Sequence, residues 1–513
     1  AGPPADKPWF RRRPLLPVPP ENMMPDAVRA AGLDPGIGGH NHSAGATVAP
    51  NGDLLVVAFT AATQQAEYRP GNAFIVTRRR FGSEQWDVPG VFMDFADVQD
   101  ASALLWTDEA TVRFLGGGVG LTGVPFRSTS STDSGATWSA VRLPLFDPPL
   151  GGYSPQPIST AFRTADGTMH VPIDGVGGQS LLLASRDQRR TWHDVGAGHG
   201  TRGRHTVYVV LDDGSVFALG GKETDIDGFM PQFRSTDGGK TWTESKSPFP
   251  ALASHQRPTL LRLKSGRLFF ASDWQDRTGQ QPAGVTEKGA FVALSEDEGK
   301  SWHIKTLEHA LPHEAAVFKD RDPDDWARFE HASATLGYAV ATQAPNGLIH
   351  LVTSMTHPSQ ELEMNEAWIL SDLADEDTAG GTLTRRTIRG EERHPNGATR
   401  ATWTGRRATD GRYLLDGTET WLHATGARRY QVTYDSGEKV GLERYWAADG
   451  TLVWEWERKA DGRAVWTQYW PSGQRKHRSE WRGTVCHGPA MAWAPSGEIT
   501  GNWRFSNGDL ARR

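Results

Sequence analysis

The 513-residue chain has one cysteine, no apolar run of membrane-spanning length and no excess of positive charge, and each shortage removes a class of answers. A single Cys486 excludes an internal disulfide and leaves the redox compartment open. Without about 20 consecutive apolar residues, no helical membrane span is expected. Lys and Arg number 55 against 61 Asp and Glu, a net charge of -6, so the chain lacks the basic footprint of a nucleic-acid binder. An anionic partner would have to be drawn in by local basic groups against the mean field. What is abundant is turn and ring: 57 Gly, 32 Pro and 20 Trp favour an all-β chain with many turns.

One phrase recurs four times: STDSGATW from Ser131, SRDQRRTW from Ser185, STDGGKTW from Ser235 and SEDEGKSW from Ser295, starting 54, 50 and 60 residues apart. A fixed phrase at a period near fifty marks one supersecondary unit repeated. It also reads as a turn. Asp133, Asp187, Asp237 and Asp297 can accept hydrogen bonds from the backbone that follows, Gly135, Gly239 and Gly299 permit positive φ, and the Trp fills the space between layers.

Six strand-turn-strand openings accompany these phrases, among them HNHSAGATVAPNGDLLVVAF, GRHTVYVVLDDGSVFALGG and LGYAVATQAPNGLIHLVTS. The first unit carries a decayed phrase ending at Trp86, and the sixth ends at Asn365-Glu366-Ala367-Trp368. This predicts six blades over 39–375, with a seventh only if the insertion at 303–335 hides one, although that stretch reads as a charged loop. Residues 1–38, rich in Pro, are expected as an irregular arm, and 376–400 as a linker. From 401 to 513, Gly426, Gly450, Gly473 and Gly497 recur every 23 or 24 residues, and ten of the 20 Trp lie in this last quarter. That pattern predicts an antiparallel meander of short repeats. Trp421, Trp446, Trp470 and Trp493 read first as the core of a thin sheet, with a sugar-stacking surface as the alternative. The runs Arg11–Arg13 and Arg78–Arg80 read as solvated charge.

In a ring of blades the innermost strands begin at one mouth. Counting back nine or ten residues from each turn glycine places His42, His205, Arg257 and Tyr338 there, with Asp100 at the matching place in the second unit and Tyr153 and Gln156 near it in the third. Ionisable residues heading apolar strands need partners or a purpose, and these are the types used for acid–base chemistry on a charged substrate. His40 and His42 stand two apart on a strand, as metal ligands can, but no third ligand is near in sequence. No cofactor is therefore expected, while a structural calcium or zinc stays open.

The four phrases resemble the Asp-box (BNR) repeat of the sialidase superfamily, and the C-terminal repeats resemble MORN-type repeats. The first resemblance implies a six-bladed β-propeller, here followed by the meander, and it implies roles. A sialidase nucleophile heads the last blade, where Tyr338 stands; the group that activates it heads the fourth, where His205 stands. The acid belongs after the first hairpin, where Glu67 is offered, with Asp100 as the other carboxyl. The Arg triad that grips sialic acid is absent: its places fall at His42, Lys222 and Thr286–Lys288. Arg257, Lys222, Arg204, Tyr153 and Gln156 then remain to hold substrate.

Three functions follow as expectations. One is a sialidase-like glycosidase on an acidic oligo- or polysaccharide that is not sialic acid; another is a lyase that cleaves a uronate polymer by β-elimination with His and Tyr; the last is a glycan-binding propeller without turnover. The analogy places the protein outside the cytoplasm, secreted or periplasmic, and a start at Ala1 rather than Met suits a processed export product or an artificially trimmed chain alike. Oligomeric state is not set by these features.

Overall fold

The computed structural model describes residues 1–15, 29–32, 40–61, 71–95, 99–118, 126–149, 153–187, 190–252, 256–274, 284–285, 288–308, 336–354, 359–483 and 485–511. The described residues form six small sheets and one sheet of 12 strands. The small sheets are blades. Their inner strands are His40–Val48, Ala101–Asp108, Tyr153–Pro157, Val207–Val210, Thr259–Arg262 and Val340–Gln343, each pairing antiparallel with the next strand outward. Neighbouring blades cover both faces of each sheet, so middle strands are apolar on both sides: Leu54–Ala61 and Leu268–Trp274 are buried at every position.

Buried clusters trace the ring. Blades 1 and 2 meet around Phe59 and Leu105, 2 and 3 around Trp106 and Ile173, and 3 and 4 around Leu182 and Tyr208. Blades 4 and 5 meet around Leu219 and Phe270, and 5 and 6 around Phe269 and Leu351. A sixth cluster, around Ile75 and Val352, brings blade 6 back to blade 1. The circle closes, which makes the sheets a propeller. A seventh blade would lie at 309–335, outside the described residues.

The repeated phrases are turns that also set blade spacing. In the second blade, Asp133 accepts from Ser131 Oγ at 2.7 Å and from the Thr137 N–H at 2.9 Å, and Asp237 and Asp297 repeat the pattern. Gly135 and Gly299, at φ +85° and +87°, press on the preceding blade: a Cβ would stand 2.7 Å from Leu55 and 2.9 Å from Phe217 respectively. Both the left-handed backbone and the close approach call for glycine.

Three expectations are corrected. Residues 10–14 are no irregular arm: Phe10–Pro14 is the outer strand of blade 6, in register from Phe10 opposite Met364 to Pro14 opposite Gln360. Asn365 fixes it, accepting the Trp9 N–H at 3.0 Å while capping the short helix Glu366–Ile369, and Phe10 stacks on Trp368 at 4.4 Å. The expected linker contains a strand, Leu383–Arg393, the first of the 12-stranded meander. The arginine runs are not solvated charge as a whole: Arg12 is exposed, but Arg13 is only 5% exposed and Arg80 3%. Arg80 Nη1 binds Asp53 at 2.9 Å while its Nε donates to Glu419 at 2.8 Å, tying blade 1 to the meander. Lys439 does the same with Asp87 at 2.8 Å. Sequence reading cannot pair charges more than 300 residues apart.

The meander runs in chain order to Asp509–Leu510. Its successive hairpins are stitched by side chains: His423 Nε2 faces the Trp446 carbonyl at 3.1 Å and Trp470 Nε1 donates to the Trp493 carbonyl at 3.0 Å. One face is buried, and its hollow receives residues 30–32: Trp466 Nε1 donates to the Gly32 carbonyl at 2.8 Å and Ser479 Oγ to the Ala31 carbonyl at 2.7 Å. Trp421 lies in that buried layer, whereas Trp446, Trp470 and Trp493 are half-buried. Among the described residues no helix is long and apolar enough to cross a membrane.

Candidate functional site

Tyr338 lies just before the inner strand of blade 6, beside Arg257 from blade 5: the Arg257 N–H donates to the Gly337 carbonyl at 3.1 Å and the Ala339 N–H to the Arg257 carbonyl at 3.0 Å. This puts the phenol at the mouth of the channel. Its Oη is 2.9 Å from His205 Nε2 and accepts a hydrogen bond from Lys222 Nζ at 3.2 Å. On the far side of the imidazole, His205 Nδ1 faces Asp174 Oδ2 at 3.0 Å, and the His205 N–H donates to Asp174 Oδ1 at 2.9 Å. The result is a line of Tyr338, His205 and Asp174 with an ammonium group at its phenolic end.

Proton positions follow from the partners. An ionised Asp174 requires the proton on Nδ1, leaving the Nε2 lone pair to accept the Tyr338 O–H. Burial dominates at His205 and lowers its pKa to about 4, against the pull of Asp174, so the ring is neutral at neutral pH. Burial would raise Asp174, but the contacts with His205 and Arg204 outweigh it and bring it to about 2. His205 also sits at φ +61°, a left-handed conformation held by the bond from its own N–H to Asp174. Non-glycine strain of this kind collects at functional sites.

Other expected residues fall around this line. The His42 ring lies 4.1 Å from the Tyr338 ring, and its Nδ1 is 3.1 Å from Ser354 Oγ, which accepts the Tyr338 N–H at 3.0 Å. Arg204 Nε donates to Asp174 at 3.2 Å and Nη2 to Gln156 Oε1 at 3.0 Å, with a third of its side chain exposed at the mouth. Arg257 is 2% exposed, stacks 5.1 Å from the Tyr338 ring and donates to the carbonyls of Ala44 and Pro157 at 3.2 and 3.5 Å. It braces blades 1, 3 and 5 beneath the phenol, which corrects its reading as a substrate contact. Burial lowers its pKa to about 10.

Asp100 is not bonded to this group. It pairs with Arg127 at 2.7 Å and accepts the Phe95 N–H at 2.8 Å, and burial raises it to about 6. Glu67 lies outside the described residues, and of Tyr153 only the backbone, paired with Gly175, is described. Asp174 and Ser354 escape a search of strand heads because they close strands rather than open them. The signal is nonetheless present: Asp174 sits near the end of MHVPIDG, a strand buried throughout, where a carboxylate must have partners.

The chemistry of the site is acid–base chemistry beside positive charge. Arg204 contacts the carboxylate of Asp174, while Lys222 and Arg257 stand at the Tyr338 phenol and ring. Another set of potential ligands, His350, Glu361 and Glu363, brings three ligating atoms within 4.8 Å of one another. There Arg79 Nη2 stands 2.8 Å from Glu361 and 2.7 Å from Glu363, so the chain supplies that cation itself.

The sequence profile of the BNR repeat-like domain matches residues 61–351. No curated protein matches the chain. Among solved structures, a protein of unknown function from Dyadobacter fermentans is 16% identical with a TM-score of 0.45, covering 63% of this chain and 94% of that one. The NanB sialidase of Streptococcus pneumoniae is 11% identical with a TM-score of 0.46, covering 64% and 69%. The sialidase of Trypanosoma rangeli is 10% identical with a TM-score of 0.44, covering 92% and 87%.

Proposed function

The chain belongs to the BNR repeat-like family, with a sialidase-superfamily fold, and from that premise we propose that it cleaves glycosidic bonds in an acidic glycan with Tyr338 as nucleophile. The observation that carries this reading is the line Tyr338–His205–Asp174 with Lys222 at the phenolic oxygen. Tyr338 Oη attacks the anomeric carbon as its proton passes to His205 Nε2, and Asp174 stabilises the imidazolium that forms. Lys222 favours the negative charge developing on Oη, and a carboxyl at the mouth protonates the leaving oxygen. Glu67 and Asp100 are the two carboxyls the sequence offers for that step. In the second half the carboxylate that gave up its proton takes one from water, and the water oxygen displaces Tyr338 Oη from the anomeric carbon. The His205 imidazolium returns its proton to the departing phenolate. The Arg204 side chain, a third exposed beside Lys222, supports an anionic substrate within a chain of net charge -6.

One observation favours a second reading. Among the described residues, the carboxylate bonded into the Tyr338 network is Asp174, which is fully buried behind His205. β-Elimination on a uronate needs no further carboxyl, because Tyr338 can remove the C5 proton and return a proton to the leaving oxygen.

One screen separates the two. Sialosides and uronate polymers are incubated with the protein, and the products are read for new reducing ends and for the ultraviolet absorbance of an unsaturated uronate. Hydrolysis gives reducing ends alone, whereas elimination gives both signals. Full activity in Tyr338→Phe and His205→Ala would reject the site.

A further inference from the structure

The face of the meander turned away from the propeller carries a periodic row. Strands there end at equivalent positions before each hairpin, and the residues at those ends are Trp446, Tyr469 and Trp493, all half-buried. Their neighbours show that they share the outer face. Tyr445, next to Trp446, stacks on Trp454 in the inner layer, so Trp446 points outward. Tyr469 Oη donates to Glu455 at 2.7 Å, and Glu455 pairs outside with Arg444. Trp493 follows Ala492, which lies opposite the buried His477, so its ring is outside as well.

Two arginines join the row, Arg475 on the strand between those of Tyr469 and Trp493, and Arg428 on the strand before that of Trp446. Arg475 pairs with Tyr469 across the hairpin, and Arg428 lies 5.2 Å over the Trp446 ring. Both are exposed. The carboxylate that touches the row, Glu455, is already matched by Arg444, so the two exposed arginines leave the row positive although the chain as a whole is acidic.

Spacing identifies what fits. Adjacent strands lie about 4.8 Å apart, so rings on every second strand repeat at about 9.5 Å. The disaccharide of an extended β-linked glycan rises by the same length. Half-exposed indoles and phenols offer flat apolar faces for sugar C–H groups, and the arginines beside them offer bidentate donors for carboxylates. We propose that this row binds an extended, β-linked acidic polysaccharide laid across the strands, one disaccharide to each ring. The face is a second glycan site, independent of the chemistry at the channel mouth.

The test uses the full chain carrying Tyr338→Phe, so that turnover cannot consume the probe. Hyaluronate and polymannuronate, both β-linked and acidic, are compared with a neutral mixed-linkage β-glucan by affinity electrophoresis and calorimetry. The acidic polymers should bind and the neutral one should not. Trp446→Ala with Trp493→Ala should weaken binding about tenfold. Arg428→Glu with Arg475→Glu should weaken it and flatten its salt dependence, with circular dichroism and melting unchanged. A disaccharide, too short to reach two rings, should not distinguish parent from double variant. The proposal is overturned if neither acidic polymer binds, or if either double variant binds them as the parent does. Because binding is read in a chain already unable to turn over, the result stands or falls separately from catalysis at the channel mouth.

Discussion

Asp174 holds His205 at two points, accepting its main-chain N–H at 2.9 Å with one carboxylate oxygen and facing its Nδ1 at 3.0 Å with the other. The first contact fixes a left-handed backbone and the second fixes the tautomer, so a single side chain aims Nε2 at Tyr338. Asp174→Asn keeps the shape but can present an amide N–H to Nδ1 and favour the other tautomer. Turnover should fall about a hundredfold or more, with little change in substrate affinity. Steady-state kinetics on a folded variant, checked by circular dichroism, decide it. An unchanged kcat would remove Asp174 from the mechanism.

The pH profile follows from the same pair. The His205 pKa is depressed to about 4, mainly by burial, and only the neutral ring can accept the Tyr338 proton. Activity should therefore persist through mildly acidic pH and fall only as the pH drops through about 4. An ordinary histidine would lose it near about 6.5. The acid limb of kcat/KM, measured across that range with a stability control, reads this directly.

Stability should begin to fall at a higher pH than paired carboxylates alone would give. His170, His205 and His477 are all buried, and burial brings each to about 4. Between about 6.5 and 4 the unfolded chain binds protons at these sites while the folded chain does not, so stability is lost as pH falls through that window. Glu361 and Asp174, depressed to about 2, withdraw their contributions at lower pH, as it falls through the ordinary carboxylate range toward about 2. Denaturant midpoints at about pH 7 and pH 5 should differ, with the lower value at the more acidic pH. Replacing His477 by Gln should reduce the difference.

Much of this was legible in the chain. The strand-turn-strand units and the repeated phrase point to six blades because local turn chemistry recurs at a fixed period. Counting back from the turn glycines brings His42, His205 and Tyr338 to one place because the span from strand head to turn glycine stays at nine or ten residues. What was not legible depends on distant pairing. Phe10–Pro14 reads as irregular since its hydrogen-bond partners lie some 350 residues on, in Gln360–Met364. Arg80 reads as solvated for the same reason, with Glu419 out of sight. Arg257 reads as a ligand for substrate, since an alignment of strand heads shows which residues converge but not which way each side chain turns.

Arg80 should be the most sensitive tie between propeller and meander. Its guanidinium serves Asp53, Glu392 and Glu419, and its plane lies 4.3 Å from the Trp403 ring. Arg80→Met keeps the bulk but leaves Asp53 and Glu419, both buried, without their shared cation. The cost should be about 3–5 kcal/mol, the scale of breaking one side of a buried ion pair. Chemical denaturation with intrinsic tryptophan fluorescence measures it, since Trp403 and Trp421 report on the same interface.

The last prediction concerns ring closure. Blade 6 is built from Val340–Gln343, Ile349–Val352 and Gln360–Met364, and its outer strand arrives from the other end of the chain. That strand carries more than main-chain bonds. Arg13 stands 2.5 Å from Glu84 of blade 1 and 3.4 Å from Glu363 of blade 6, and Trp9 Nε1 donates to Glu363 at 3.0 Å. Removing residues 1–15 would expose an edge, strip Glu363 of two partners and uncover Trp368. Without the strand the ring should open at the blade 6–blade 1 seam, where Tyr338 and His42 meet. The truncated chain should lose turnover and aggregate through the bare edge of blade 6. A synthetic peptide of residues 1–15 added during refolding should restore both solubility and activity, whereas a peptide with Arg13→Glu and Phe10→Ala should not. Activity in the truncated chain without peptide would show that closure does not depend on this strand.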